Sequence, residues 1–307
     1  MTKLVTYAQE GDARLGVVRG GQIVDLERAT ALDGAAAPLW SRDTIAFLAA
    51  GDEALGALAA VFDRVDRMDE DSARNARILI DETLVELLPP VPRPPKIICV
   101  ARNYGKHAEE AGRPISEIPI TFARFAKTLV GHGGKVVVPR VSHQLDWEGE
   151  LAIVIGKPGR YISRQDAMDH VAAYSIFNDV TVRDYQFRVT QYTSGKNFAH
   201  SGPLGPYLVL RDEVPDPHRL DITTTLNGEV VQSGNTSEML FDIPTIIEHI
   251  SEFIDLEVGD VIPMGTPAGV GFTRQPPRFL KNGDVISVEV EGLGTLSNPV
   301  VDESAGR

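Results

Sequence analysis

The chain has a single cysteine, Cys99, among 307 residues, which excludes a disulfide framework and a thiolate metal cluster. It lies between Ile98 and Val100, an apolar setting that raises a thiol's pKa and quiets it, so it reads as a core residue. No apolar run is long enough to span a bilayer, and Met1 to Tyr7 enters a strand-like segment without a signal-peptide pattern. The cytoplasm is the expected compartment. Positive charge is scarce: 30 Lys and Arg face 43 Asp and Glu, a net charge of −13. That balance argues against nucleic acid and anionic membrane as partners. Internal repeats and low-complexity tracts are absent too.

Strand signals dominate what is present. Val5 to Tyr7, Leu15 to Val18 and Gln22 to Leu26 read as strands, with Arg19-Gly20-Gly21 a hairpin turn. A helix-prone, alanine-rich region follows from about 41 to 77, broken near Gly51. Five prolines between Pro89 and Pro95 then form an extended connector. We therefore expect a small N-terminal domain over 1–90 and a larger one over 91–307.

Past the connector, Lys96 to Val100 is a buried strand by pattern, and a short polar helix spans about Tyr104 to Ala111. Ser163 to Val171 reads as a helix with Ser163 as N-cap. Val171 to Phe177 is a strand, and Leu220 to Gln232 is a hairpin turning at Asn227-Gly228. Pro244 to Phe253 is an amphipathic helix, and Val261 to Met264, Val285 to Val290 and Gly294 to Leu296 are further strands. Such a mixed α+β, strand-rich chain has no regular βαβ alternation, so neither a doubly wound sheet nor an eight-fold barrel is expected.

The chemistry concentrates in a few segments. In Asp146-Trp147-Glu148-Gly149-Glu150, two carboxylates two residues apart share one face at the entrance of an apolar strand. Like charges held so close need a cation or a shared proton, and oxygen donors suit Mg²⁺, Mn²⁺ or Ca²⁺ rather than zinc. An edge strand with two solvated glutamates fits the same spacing. Asp179, where a later apolar strand ends, supplies a third carboxylate, although Asn178-Asp179 alone reads as an Asx turn. Lys196 after Gly195 is a charge partner if it lies near such a site and a surface lysine otherwise. His107 and Glu110, at i and i+3, form an acid/base pair or an ordinary exposed helix face. Gly265 to Gly271 lacks the P-loop lysine and suits backbone N–H and Thr266 hydroxyl contacts to a small carboxylate.

In order along the chain these segments resemble the fumarylacetoacetate hydrolase superfamily. The resemblance runs from Lys96 to about Pro299. It takes in Asn103-Tyr104 with His107, Asp146-x-Glu148-x-Glu150, Asn178-Asp179 with Arg183 and Gln186, Gly195-Lys196, Asn227-Gly228-Glu229 and Gly265-Thr266-Pro267. It implies a fumarylacetoacetase-type β-roll for the C-terminal domain, beside a smaller α+β N-terminal domain, usually as a homodimer. It implies Mg²⁺ or Mn²⁺, with Ca²⁺ as a substitute in crystals, held by Glu148, Glu150 and Asp179. His107 and Glu110 would activate water, Lys196 would stand beside the metal, and Arg124, Gln186 and Thr266 would bind the substrate, a small 2-oxo acid.

The activity it implies first is hydrolysis of a C–C bond in a 2,4-dioxo acid of the acylpyruvate or fumarylpyruvate type, through an enolate. Decarboxylation of an oxaloacetate-type 2-oxo acid and isomerisation of a 2-oxo diacid of aromatic catabolism follow as alternatives. A non-catalytic 2-oxo acid binding protein is the alternative of another class. Ala101, Met264 and Asn197 to His200 depart from the family pattern without removing a catalytic group, so substrate identity is the part least constrained.

Overall fold

In the computed structural model, which describes residues 2–34 and 36–304, two sheets pack around a shared core. The larger sheet runs, edge to edge, through Leu79–Asp81, Gln22–Asp25, Asp12–Arg19, Lys3–Gln9, Gly202–Leu210, Val171–Asn178, Gly149–Ile155, Val261–Pro263, Ile97–Ala101 and Ile120–Arg124. The N-terminal strands thus join the strands of the later region directly, through Lys3–Gln9 against Gly202–Leu210. The second sheet orders Glu229–Asn235, Asp221–Leu226, Val285–Val290, Gly294–Asp302 and Val136–Val138. The chain is mixed and strand-rich, as its pattern predicts.

Gly149–Ile155 shows why the interior organises around one strand. All seven residues are buried, because the strand is paired on both edges and covered on both faces. Leu151, Ile153 and Ile155 enter one core with Ile222, Val288 and the helix Ile243–Phe253. Ala152 and Val154 point the opposite way, toward Leu204, Leu208 and the N-terminal helices. The neighbouring strand divides likewise, with Tyr174 and Ile176 on the first side and Ala173 and Phe177 on the second.

The helix Ile243–Phe253 seals the first core with Ile243, Ile246, Ile247 and Ile250, an i, i+3, i+4, i+7 stripe. Asp242 caps it, accepting hydrogen bonds from the Thr245 N–H and hydroxyl at 2.9 and 2.6 Å. The N-terminal helices Thr44–Ala50, Asp52–Asp66 and Glu70–Asn75 cover the other face, and the break falls at Gly51, in a positive-φ conformation (50°). Asn227 and Gly228, both at positive φ, turn the hairpin between Asp221–Leu226 and Glu229–Asn235. Among the described residues, no single helix is long and apolar enough to cross a membrane.

One reading changes, and one strand appears that the sequence pattern does not assign. Ser163 caps no α-helix: its hydroxyl donates to Asp166 Oδ2 at 2.7 Å in a turn, and only a 3₁₀ segment, Ala167–His170, follows. Val171 is already in the strand, whose pairing wins over local helix propensity. Gly202–Leu210 is a central strand despite Pro203 and Pro206, which argue against one. A register irregularity opposite Ser175 takes up this region, so the ladder needs no N–H from Pro206.

Ile153 is fully buried with Tyr174 and Ile262 as cross-strand neighbours. Ile153→Ala is expected to cost about 2–5 kcal/mol of stability, read as a lower urea midpoint. An unmoved midpoint would contradict the close packing of this strand.

Candidate active site

Backbone pairing assembles the carboxylates. In the antiparallel ladder Gly149 faces Asn178, so the residues just outside it, Glu148 and Asp179, meet across the strand ends. The Asp179 N–H donates to Glu148 O at 2.8 Å, and the Glu148 N–H donates to Asn178 Oδ1 at 3.0 Å. Glu150 lies two residues on, on the same face. One carboxylate oxygen each from Glu148, Glu150 and Asp179 lies within 4.8 Å of the others, and all three residues are buried. The two glutamates sit at a central strand rather than an edge.

Three cations balance this charge unevenly. Lys196 Nζ donates to Glu148 Oε2 at 2.7 Å and Asp179 Oδ2 at 2.6 Å. Arg183 Nη1 reaches Glu148 Oε1 at 2.7 Å while its Nε donates to Asp146 Oδ2 at 2.8 Å. Arg124 Nη1 donates to Asp179 Oδ1. Among the described residues, Glu150 has no ion-pair partner and accepts the Gly265 N–H at 2.8 Å. Burial alone would raise the Glu148 pKa, but Lys196, Arg183 and His107 outweigh it and hold it down at about 2. For Glu150, burial and then the Asp179 and Glu148 charges push the pKa well above the usual range. Burial disfavours the Lys196 ammonium, yet Asp179 and Glu148 more than compensate and its pKa is raised.

The donor set answers whether a metal fits. Three buried oxygen ligands converge, and one lacks any counter-charge, which a divalent cation would supply. The set matches Mg²⁺, Mn²⁺ or Ca²⁺ and offers no sulfur or nitrogen for zinc.

The glycine-rich segment does something other than expected. Its N–H groups bind the protein's own carboxylates: Gly265 to Glu150, Gly269 to both Glu110 oxygens at 3.1 and 2.9 Å, and Gly271 and Phe272 to Asp146 at 2.7 and 3.1 Å. A Cβ on Gly269 would fall 2.3 Å from Val231 O, and one on Gly271 1.9 Å from Arg278 O. Only glycine lets the amides come this close. The Thr266 hydroxyl donates to Gly149 O at 2.9 Å and accepts from Gln232 Nε2 at 2.8 Å, and the residue still lines the cavity.

Glu110, fixed in this way, accepts from or donates to His107 Nδ1 at 2.9 Å according to the shared proton. Nε2 is left without a protein partner among the described residues. His107 lies on the short helix Gly105–Glu110 and shares a cavity of about 310 Å³ with Glu148, Glu150, Lys196, Gln186 and Thr266. Two of the three carboxylates, the lysine and the histidine thus face one space.

The comparisons with known proteins come from the same region. Residues 96–301 match the family described as fumarylacetoacetate (FAA) hydrolase, C-terminal. The chain belongs to the fumarylacetoacetate hydrolase family. It is 48% identical over 219 residues to the mitochondrial oxaloacetate tautomerase FAHD2A of Homo sapiens, covering 71% of this chain and 70% of that protein. It is 47% identical to the oxaloacetate tautomerase YisK of Bacillus subtilis (strain 168), covering 70% and 73%. A crystal structure of maleylpyruvate hydrolase from Sphingobium sp. SYK-6, in complex with manganese(II) ion and pyruvate, superposes with a TM-score of 0.77 at 30% identity. It covers 98% of this chain and 100% of that one.

Within this fumarylacetoacetate hydrolase-type site, one residue read as substrate-binding lies elsewhere. Arg124 does not line the cavity, because its guanidinium is committed behind Asp179: to that carboxylate, to Val180 O, and through Nη2 to Ser201 O and Oγ, both at 2.6 Å. It positions Asp179. Gln186 does line the cavity, its Oε1 accepting from Arg183 Nη1 at 3.0 Å. The sequence motifs contain Asp146 and Arg183 but give them no role. They meet because Leu145–Asp146 pairs with Thr181–Val182, a tertiary contact across 37 positions that no local spacing announces. Glu150→Gln is expected to weaken Mn²⁺ binding to the full chain by more than about tenfold, measured by calorimetry. Unchanged affinity would remove Glu150 from the ligand set.

Proposed function

We propose that this chain is a divalent-metal-dependent oxaloacetate tautomerase, interconverting the keto and enol forms of that 2-oxo acid. The observation that carries the reading is that His107, held by Glu110, opens onto the same cavity as Glu148 and Glu150, with Asp179 completing the carboxylate cluster behind them. The tautomerases that share nearly half its residues in the matched region support it.

Glu148, Glu150 and Asp179 would hold Mg²⁺ or Mn²⁺, which supplies Lewis-acid polarisation of the 2-oxo group when bound. His107, oriented through Nδ1 by Glu110, takes a proton from C3 at Nε2. As the C3–H bond breaks, C2=C3 forms and the carbonyl electron pair moves onto O2. The imidazolium then returns the proton at O2, and the reverse sequence regenerates the ketone. Lys196, which lines the same cavity and is bound to Glu148 and Asp179, adds fixed positive charge there. The carboxylate of Glu110 keeps the imidazolium stable between the two transfers.

Hydrolysis is the second reading, favoured by the maleylpyruvate hydrolase structure that covers nearly the whole chain, residues before 96 included. In that reaction His107 would deprotonate a water for attack on the distal carbonyl of a 2,4-dioxo acid. Tautomerisation is preferred because the sequence likeness to the tautomerases is greater and one base suffices for it.

Stopped-flow loss of enol-oxaloacetate absorbance, with Mg²⁺ or Mn²⁺ and with EDTA, tests the proposal. Metal-dependent acceleration is expected, falling by about 10²–10⁴ in His107→Ala. No acceleration over buffer, together with release of pyruvate from maleylpyruvate or fumarylpyruvate, would replace it with the hydrolase reading.

A further inference from the structure

Two further guanidiniums, those of Arg102 and Arg113, line the cavity beside His107, Glu148, Glu150 and Lys196, and the chemistry above does not use them. Both also line an adjoining depression of about 400 Å³, which shares Phe187 and Tyr192 with the inner cavity and adds Arg188. No carboxylate lines that depression. In a chain with a net charge of −13, three arginines line that depression, and two of them line the cavity as well.

Their partners set them apart from the inner cations. Lys196, Arg183 and Arg124 are each bound to carboxylates of the site. Arg188 leans on Asp184 at 3.5 Å. Among the described residues, neither Arg102 nor Arg113 has a carboxylate partner. Arg102 Nη1 donates only to Pro114 O at 3.3 Å, next to Arg113, and its Nε is buried without a partner. Arg102 also holds a left-handed backbone (φ 55°) directly after the strand Ile97–Ala101, a conformation a non-glycine residue adopts at some cost. Arg102 thus keeps a buried donor open on the cavity lining and Arg113 brings an exposed charge with no carboxylate partner beside it, and the planar fork of a guanidinium suits a carboxylate.

We propose that Arg102 and Arg113 form a distal anion subsite that binds the second carboxylate of a dicarboxylic 2-oxo acid. The proposal rests on the 2-oxo acid reading, whose catalytic groups bind the other end. Arg102 and Arg113 are specificity-determining residues: they select diacids over 2-oxo acids ending in a methyl or other uncharged group. Phe122, Phe187 and Tyr192 line the wall of the inner cavity alongside them.

A matched pair tests this: oxaloacetate and 2-oxobutyrate differ only by a methyl group in place of the distal carboxylate. Dissociation constants are measured by calorimetry on the Mn²⁺-loaded full chain. Oxaloacetate is expected to bind at least about tenfold tighter, an advantage that shrinks with added salt. In Arg102→Gln/Arg113→Gln the ratio is expected to fall toward one, with 2-oxobutyrate affinity moving less than about twofold. Arg113→Glu, at an exposed position, carries the test alone should Arg102→Gln fail to fold. It is expected to invert the preference. A ratio near one in the parent chain, or one that survives these substitutions, overturns the subsite. A preserved, arginine-dependent ratio without catalysed tautomerisation would overturn the activity and leave the subsite standing.

Discussion

Everything at this site follows from burying three carboxylates within 4.8 Å of one another. At an effective dielectric near 20, each such pair repels by roughly 3–4 kcal/mol. Three pairs together rival the whole net stability of a typical domain. The fold meets that repulsion with cations placed before any substrate or metal arrives: Lys196 between Glu148 and Asp179, Arg183 on Glu148, and Arg124 on Asp179. Glu150 alone is left to a backbone amide and its neighbours' repulsion. Glu150 is thereby the one member of the cluster whose charge the protein's own cations do not pair, and the one that a bound cation would balance.

The glycine-rich segment is the second half of that solution. A side-chain donor must be ordered from many rotamers, whereas an amide on a fixed loop is already in place. Gly265, Gly269 and Gly271 each point an N–H at a different carboxylate, and the loop couples the three-carboxylate cluster, the His107–Glu110 pair and the Asp146–Arg183 pair mechanically. An anion-binding loop is therefore a sound description of it, and the anions belong to the protein.

How much of this the sequence carries depends on distance along the chain. Glu148 and Glu150 share a face because strand geometry is local, and His107 and Glu110 meet because helix geometry is local. The hairpin at Asn227-Gly228 and the stripe of Ile243 to Ile250 are legible for the same reason. Asp146 with Arg183, and Arg124 with Asp179 and Ser201, need tertiary structure, so no local spacing announces either contact. Gly202–Leu210 hides as a strand because its prolines and glycines outweigh its apolar residues by any local rule. Its position between two sheet halves compensates for those propensities. Ser163 illustrates the reverse, a good local cap overruled by the strand that begins at Val171.

These constraints divide the cavity into a part that can vary and a part that cannot. Removing the charge of Lys196, Arg183, Glu148 or Asp179 leaves a buried partner uncompensated, which costs several kcal/mol whatever the substrate. Arg102 and Arg113 carry no such obligation, since no buried carboxylate depends on them. The inner groups suit several reactions, because tautomerisation, decarboxylation and hydrolysis of 2-oxo acids all build charge on the same oxygen. What distinguishes them is the group attached at C3 and whether water can reach it. In the proposed subsite both are set by Arg102 and Arg113 together with the aromatic lining of the cavity, so that substrate choice can be retuned there without disturbing the charge balance that holds the strand ends together.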